Sequence, residues 1–186
     1  MENVAVHVIL YTAMSMDGRI ASAKDGLGFL ESIKPGESSE GFAAFLADID
    51  AVVVGAATLR WLLNGGHGWP HDDLPTWLIS KTDGLVERVG STRQPLRRRA
   101  GDIGPVFDEI EAMGYRRVWL CGGGDIAGQA LAVDRVDEVR VTIVPTALGA
   151  GPALFDGGEL PTCLFEPTDC RVNGNAVEVT WVRVRE

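Results

Sequence analysis

Residues able to hold a phosphorylated ligand cluster at three places in this chain. The most informative is Val118-Trp-Leu-Cys-Gly-Gly-Gly-Asp-Ile-Ala-Gly-Gln-Ala-Leu131, where an apolar run ends in Gly122, Gly123 and Gly124 and a helix-like pattern starts at once. Such a junction aims bare backbone N–H groups and the positive end of a helix at one spot, a setting that suits phosphate. A Cβ would hold an anion away from that backbone. The same residues could also make a tight strand-to-helix turn with no ligand. Gly122-x-Gly124-x-x-Ala127 formally matches a relaxed dinucleotide fingerprint, but the next strand lacks a terminal acid for a ribose.

A second place is Gly55-Ala-Ala-Thr58-Leu-Arg60. Thr58 could donate its hydroxyl to a diphosphate and Arg60 could neutralise charge; alternatively Thr58 is a local cap and Arg60 a surface residue. Ser80-Lys81-Thr82 is the third, a hydroxyl and an ammonium suited to a phosphate monoester, or else a solvated loop start. The arginines Arg93, Arg97, Arg98 and Arg99 read as an exposed face. Ser15, Asp17 and Arg19 follow the first apolar run. Asp17-Gly18 makes a tight turn, in which Asp17 either binds its own backbone or helps deliver a proton to a substrate. His67 and His71 have Gly68 and Pro70 between them, so no helix presents both to a metal. Cys121 has no base beside it in sequence and could line a pocket.

The elements that must carry these groups alternate. Apolar β-rich runs at 4–13, 51–54, 76–79, 117–121 and 138–145 read as strands. Phe42, Phe45, Leu46 and Ile49 share a helical face, so 39–49 is an amphipathic helix, and 56–63 and 125–133 are further helices. Ile103, Val106, Phe107, Ile110 and Met113 repeat that spacing, with Asp102 as N-cap and Gly114 as stop. Residues 81–101 are polar and resist assignment, with 85–89 a candidate short strand. The segments 163–172 and 176–185 flank Asn173-Gly174, a type I′ hairpin signal. The pattern predicts an α/β fold: a mixed sheet flanked by helices, its core strands mostly parallel, with a C-terminal antiparallel hairpin. Gly55, Ser80 and Gly122 then all fall at carboxyl ends of strands, where open α/β sheets bind their ligands.

A chain of 186 residues favours a single domain spanning 1–186. The net charge of −9 argues against nucleic acid as a partner. Cys121, Cys163 and Cys170 are odd in number and form no CxxC pair, which suits a reduced, cytoplasmic setting. The apolar run near the start is too short for a membrane span and has no basic segment before it.

Taken in order, Ser15-Met-Asp-Gly-Arg-Ile-Ala21, Gly55-Ala-Ala-Thr-Leu-Arg60, Cys121-Gly-Gly-Gly124, Asp137-Glu138 and Pro145-Thr-Ala-Leu-Gly-Ala-Gly-Pro-Ala-Leu-Phe155 resemble the dihydrofolate-reductase-like superfamily. The nearer likeness is to the C-terminal reductase domain of bacterial riboflavin-biosynthesis bifunctional deaminase-reductases, because folate reductases favour Gly-Arg-x-Thr over Gly-Ala-x-Thr. The resemblance implies an NADPH-dependent reductase of the 5-amino-6-(5-phosphoribosylamino)uracil reductase type, usually a homodimer, acting on a C=O or C=N carbon of a small heterocycle. It implies that Thr58, Arg60, Gly55 and Gly122–Gly124, flanked by Ile126, hold the diphosphate, and that Gly122–Gly123 is a cis peptide. Ser80 and Lys81 would face the 2′-phosphate, and Ala13 and Ile20 the nicotinamide. Ser15, Arg19 and Cys121 would meet the substrate, and Asp17 or an ordered water would supply the proton, with Glu40 a weaker candidate. Two positions depart from the riboflavin reductases. Cys121 stands where they usually carry Glu, and Arg60-Trp-Leu-Leu-Asn64 stands where they carry Arg-x-Asp-Asn-Pro. An NADP(H)-binding dimer without turnover, acting as a sensor, is the alternative.

Overall fold

Strand β1, His7–Ser15, is the axis of the fold. Its run Val8-Ile9-Leu10 is apolar at every position because both faces are covered: Val8 and Leu10 enter one core, Ile9 the other. The computed structural model describes residues 5–24, 26–34 and 41–185.

The remaining strands are β2 (Ala51–Gly55), β3 (Thr76–Ile79), β4 (Leu96–Arg99), β5 (Arg117–Gly122), β6 (Glu138–Val144), β7 (Phe165–Asn173) and β8 (Ala176–Arg183). They form one sheet in the order β4-β3-β2-β5-β1-β6-β8-β7. Pairing is parallel from β4 to β6, and β8 joins β6 antiparallel with Val141 opposite Val179. The expected fold class, a mostly parallel mixed sheet with an antiparallel C-terminal hairpin, is therefore what forms.

Helices α4 (Gly104–Ala112) and α5 (Gly124–Ala132) cover one face, burying Val106, Phe107, Ile110, Ile126 and Ala130 against Trp77 and Leu120. Helices α1 (Gly41–Ala47), α2 (Ala56–Asn64) and α3 (Leu85–Val89) serve the other face, where Phe45, Leu59 and Leu85 pack with Val54, Leu78 and Trp119. Among the described residues, no helix is long and apolar enough to cross a membrane.

Four local expectations change. Residues 85–89 are helical, because the free edge of β3 is taken by β4, with Trp77 opposite Arg97. Arg97, Arg98 and Arg99 thus lie on a strand rather than on a bare exposed face, while Arg93 is exposed as expected. The strand's side chains earn their places by contact: the Arg97 guanidinium lies 5.0 Å from the Trp77 ring centre, and Arg99 forks onto Glu109. Asp102 is not the N-cap of α4; Ile103 occupies that position without a side-chain cap. In the hairpin Asn173 pairs with Ala176, so Gly174 (φ 63°) and Asn175 form the turn. Glycine at the first central position suits a type II′ turn rather than I′. Asn175 is then free to pin the hairpin tip, accepting from the Lys34 N–H at 2.7 Å and donating to the Ser32 carbonyl at 2.9 Å.

Candidate active site

Strands β2, β3 and β5 run parallel, so the loops leaving their carboxyl ends share one rim. All three phosphate-type segments open there onto a single cleft of about 800 Å³. The β2–α2 junction contributes Gly55, Thr58 and Arg60, and the end of β3 contributes Ser80 and Lys81. Gly123, Gly124 and Ile126 come from the β5–α5 junction, and Ile20 from the loop after β1. The Gly122–Gly123 peptide is cis.

Helix α5 starts at Gly124 behind an extended Gly123, and no side chain caps its first turn. Its leading N–H groups are therefore available to an anion. A Cβ on Gly123 would enter the cleft beside the Thr58 hydroxyl, 3.8 Å from Oγ1. Glycine backbone, a threonine hydroxyl and a helix start thus surround a space that a side chain would fill. That donor set fits a diphosphate.

The two glycines within α5, Gly124 and Gly128, have a different task. A Cβ at Gly124 would overlap the Ala153 carbonyl oxygen, and one at Gly128 would overlap that of Asp156. The loop carrying Pro152 and Asp156 lies directly on α5, and the Asp156 N–H donates to the Gly124 carbonyl at 3.0 Å. Gly124 therefore serves loop docking as much as the cleft.

Ser15, Asp17 and Arg19 do not line the cleft; they build its wall. The buried Ser15 hydroxyl donates to Asp17 Oδ1 at 2.6 Å and accepts the Arg19 N–H at 3.0 Å. The Asp17 carboxylate also accepts the N–H groups of Leu148 (3.0 Å) and Gly149 (2.7 Å). The Ser15 hydroxyl first, then these two amides, hold its pKa at about 2. Arg19 Nη1 donates to the Gly151 carbonyl at 3.0 Å, and the Ile20 N–H to that of Pro152 at 3.0 Å. The turn is thereby stitched to the 146–154 loop, which presents Ile20 to the cleft. A carboxylate so stabilised is a poor proton donor near neutrality; its oxygens hold the turn.

Ser80 is likewise committed. Its buried hydroxyl donates to the Thr82 carbonyl at 2.7 Å and accepts the Thr82 N–H at 3.2 Å. The bond shapes the 80–82 turn and leaves Lys81, exposed, as the group with reach. Glu40 lies outside the described residues.

Cys121 does not line the cleft. It packs with Tyr11 against the core on the α1–α3 side, and burial pushes its thiol up to about 12. Ala13, outside the cleft lining too, pairs with Thr142 of β6, which lines a second, polar hollow of about 380 Å³. Tyr11, Arg140, Arg171 and Glu178 share that hollow. Arg171 pairs with Glu178 at 2.7 Å, and Arg140 with Glu138. Burial, then Glu178, raises the pKa of Tyr11, so its phenol is a neutral donor.

Several cleft residues escaped the sequence reading: Trp61, Asp102, Gln129, Pro152 and Asp156. Trp61 and Gln129 follow Thr58 and Ile126 by one helical step, and that spacing could have found them. Pro152 and Asp156 reach the cleft only through docking on α5.

A cleft of about 800 Å³ on the rim of this mixed sheet, with glycine junctions after β2 and β5, is the arrangement expected of the dihydrofolate-reductase-like fold. The chain belongs to the RibD C-terminal domain family, whose sequence profile matches residues 6–179. It is thus a riboflavin-biosynthesis reductase-like protein, in a family of nicotinamide-dependent oxidoreductases. The uncharacterized Bacillus subtilis protein YwjB is 24% identical over 180 residues, covering 94% of this chain and 97% of that one. The 2,5-diamino-6-ribosylamino-4(3H)-pyrimidinone 5′-phosphate reductase of Methanothermobacter thermautotrophicus is 26% identical over 185 residues, covering 81% and 84%. Among solved structures, a protein attributed to riboflavin biosynthesis from Shewanella sp. PV-4 superposes with TM-score 0.82 at 27% identity, covering 97% of this chain and all of that one. Acinetobacter baumannii RibD shares the fold, with TM-score 0.71 at 15% identity; this chain spans 58% of its length.

Proposed function

We propose that this chain is an NADPH-dependent reductase of a small heterocyclic acceptor, working as a homodimer in the cytoplasm. The observation that carries the reading is the convergence of Thr58, Lys81 and Gly123 on one cleft. In this reading Thr58, Gly123 and the start of α5 hold the diphosphate, with Arg60 balancing its charge. Lys81 takes the 2′-phosphate. Ile20 and Ala13 border the nicotinamide, which when bound supplies a hydride. The protein's part is chiefly to hold donor and acceptor at reacting distance.

The acceptor lies on the α1–α3 side of β1, beside Cys121 and toward the polar hollow, where Tyr11 orients it through a neutral hydroxyl. The guanidinium groups that could counter an acceptor's phosphate there are already matched, since Arg140 and Arg171 are both ion-paired. The acceptor class is accordingly a polar heterocycle or carbonyl compound, with the ribosylamino-pyrimidine phosphates as the family's precedent. Ser15, Asp17 and Arg19 act as positioning residues, and the acceptor's proton comes from solvent. Membership of a reductase family does not favour the sensor alternative.

Titrating NADPH and NADH while following nicotinamide fluorescence tests the cofactor. A preference for NADPH of roughly tenfold or more, about 1.4 kcal/mol, is expected. Failure of either nucleotide to bind at millimolar concentration would sink the reading. NADPH oxidation with pterins, pyrimidine phosphates and small carbonyls then separates turnover from mere binding.

A further inference from the structure

We infer that Asp102 opposes Lys81 in the cleft, and that the balance of these two charges sets the choice between NADPH and NADH. This rests on the dinucleotide reading above. The cleft runs along the rim from Ile20, past the β5 and β2 junctions, to the loops after β3 and β4. A diphosphate held at the central junctions leaves one nucleoside on the Ile20 side and the other on the β3–β4 side. With nicotinamide beside Ile20, the adenosine ribose falls on the β3–β4 side.

Two charged residues line that end. Lys81 follows β3, and Asp102 follows β4, next to Gly101. The two loops are joined where the Ser80 N–H donates to the Arg99 carbonyl at 3.0 Å. Nearby charges are occupied: Asp83 pairs with Arg98 at 2.5 Å. The other acids of the cleft belong to the β5 side, where Asp125 accepts from Gln129 at 2.9 Å and Asp156 accepts the Gly157 N–H at 2.9 Å. Among the described residues, nothing hydrogen-bonds or ion-pairs with either Lys81 or Asp102, and both are exposed.

The chemistry separates their effects. A phosphate monoester brings roughly two negative charges near neutral pH. Lys81 attracts it and Asp102 repels it. The 2′-hydroxyl of NADH is neutral and can donate to a carboxylate, so Asp102 favours that cofactor. Asp102 begins no cap and fills no core position, so its charge can be removed without disturbing the fold.

The test measures dissociation constants of NADPH and NADH for the wild type, Asp102→Asn, Asp102→Glu and Lys81→Ala. Asp102→Asn should raise the NADPH-over-NADH affinity ratio about three- to thirtyfold at low salt, with the gain shrinking as ionic strength rises. Asp102→Glu keeps the charge and should leave the ratio within about twofold of wild type, and Lys81→Ala should lower it. An unmoved or lowered ratio in Asp102→Asn, with both nucleotides still binding, overturns this inference alone. If the wild type binds neither nucleotide, the dinucleotide reading falls and this falls with it.

Discussion

The Asp17 carboxylate accepts the backbone N–H of Gly149 at 2.7 Å, across 132 positions of sequence. That bond joins the turn after β1 to the loop that docks on α5, so the two walls of the cleft are tied together.

The first prediction concerns this bond. Folding lowers the Asp17 pKa from 3.8 to about 2. A depressed carboxylate stabilises the fold above its unfolded pKa, and the contribution disappears as pH falls from 3.8 through about 2. Asp17→Asn should flatten the acid limb of stability across that window, seen in urea melts at successive pH values. The pH profile of turnover from about 5 to 8 should keep its shape in Asp17→Asn, because the wild-type group is already ionised there. A lost limb in that range would restore Asp17 as the proton donor.

Gly128→Ala should be costly although the position is mid-helix, where alanine ordinarily helps. The added methyl would overlap the Asp156 carbonyl oxygen. A loss of about 2–3 kcal/mol is expected, measured by chemical denaturation. Unchanged or raised stability would show that the loop does not rest on α5.

Thr58 and Lys81 should fail in different ways. Thr58→Val removes a hydroxyl proposed for the diphosphate common to both cofactors, so NADPH and NADH should each weaken by roughly tenfold or more. Lys81→Ala should weaken NADPH far more than NADH. Equal losses from Lys81→Ala would contradict its assignment to the 2′-phosphate.

Cys121 should be inert to alkylation. With its thiol pushed up to about 12 by burial, little thiolate exists at pH 8. Iodoacetamide on the native protein should label the exposed Cys170 and spare Cys121 until denaturant is added, as read by peptide mass spectrometry. Rapid native labelling of Cys121 would mean that its thiol ionises at pH 8 after all.

Much of this protein can be read directly from its residues. The apolar runs that became β1, β2, β3, β5 and β6 need both faces covered, and that demand is visible in composition alone. Helical spacing marked α1 and α4 for the same reason. The glycine junctions after β2 and β5 were legible because close backbone approach excludes a Cβ locally, whatever the rest of the chain does.

What eluded the sequence depended on distant partners. Residues 85–89 could pair as a strand or coil as a helix, and the choice followed from β4 occupying the sheet edge. The arginines of β4 look like a solvated face until Trp77 and Glu109 arrive beside them. Asp17 looks catalytic until Leu148 and Gly149 claim its oxygens. Asp102 and Asp156 reach the cleft only once β3 has met β4 and the late loop has settled on α5. Local backbone needs are written in neighbouring residues, whereas a polar side chain's role is set by whatever charge or hydrogen-bonding group folding brings within reach, and that only tertiary structure decides.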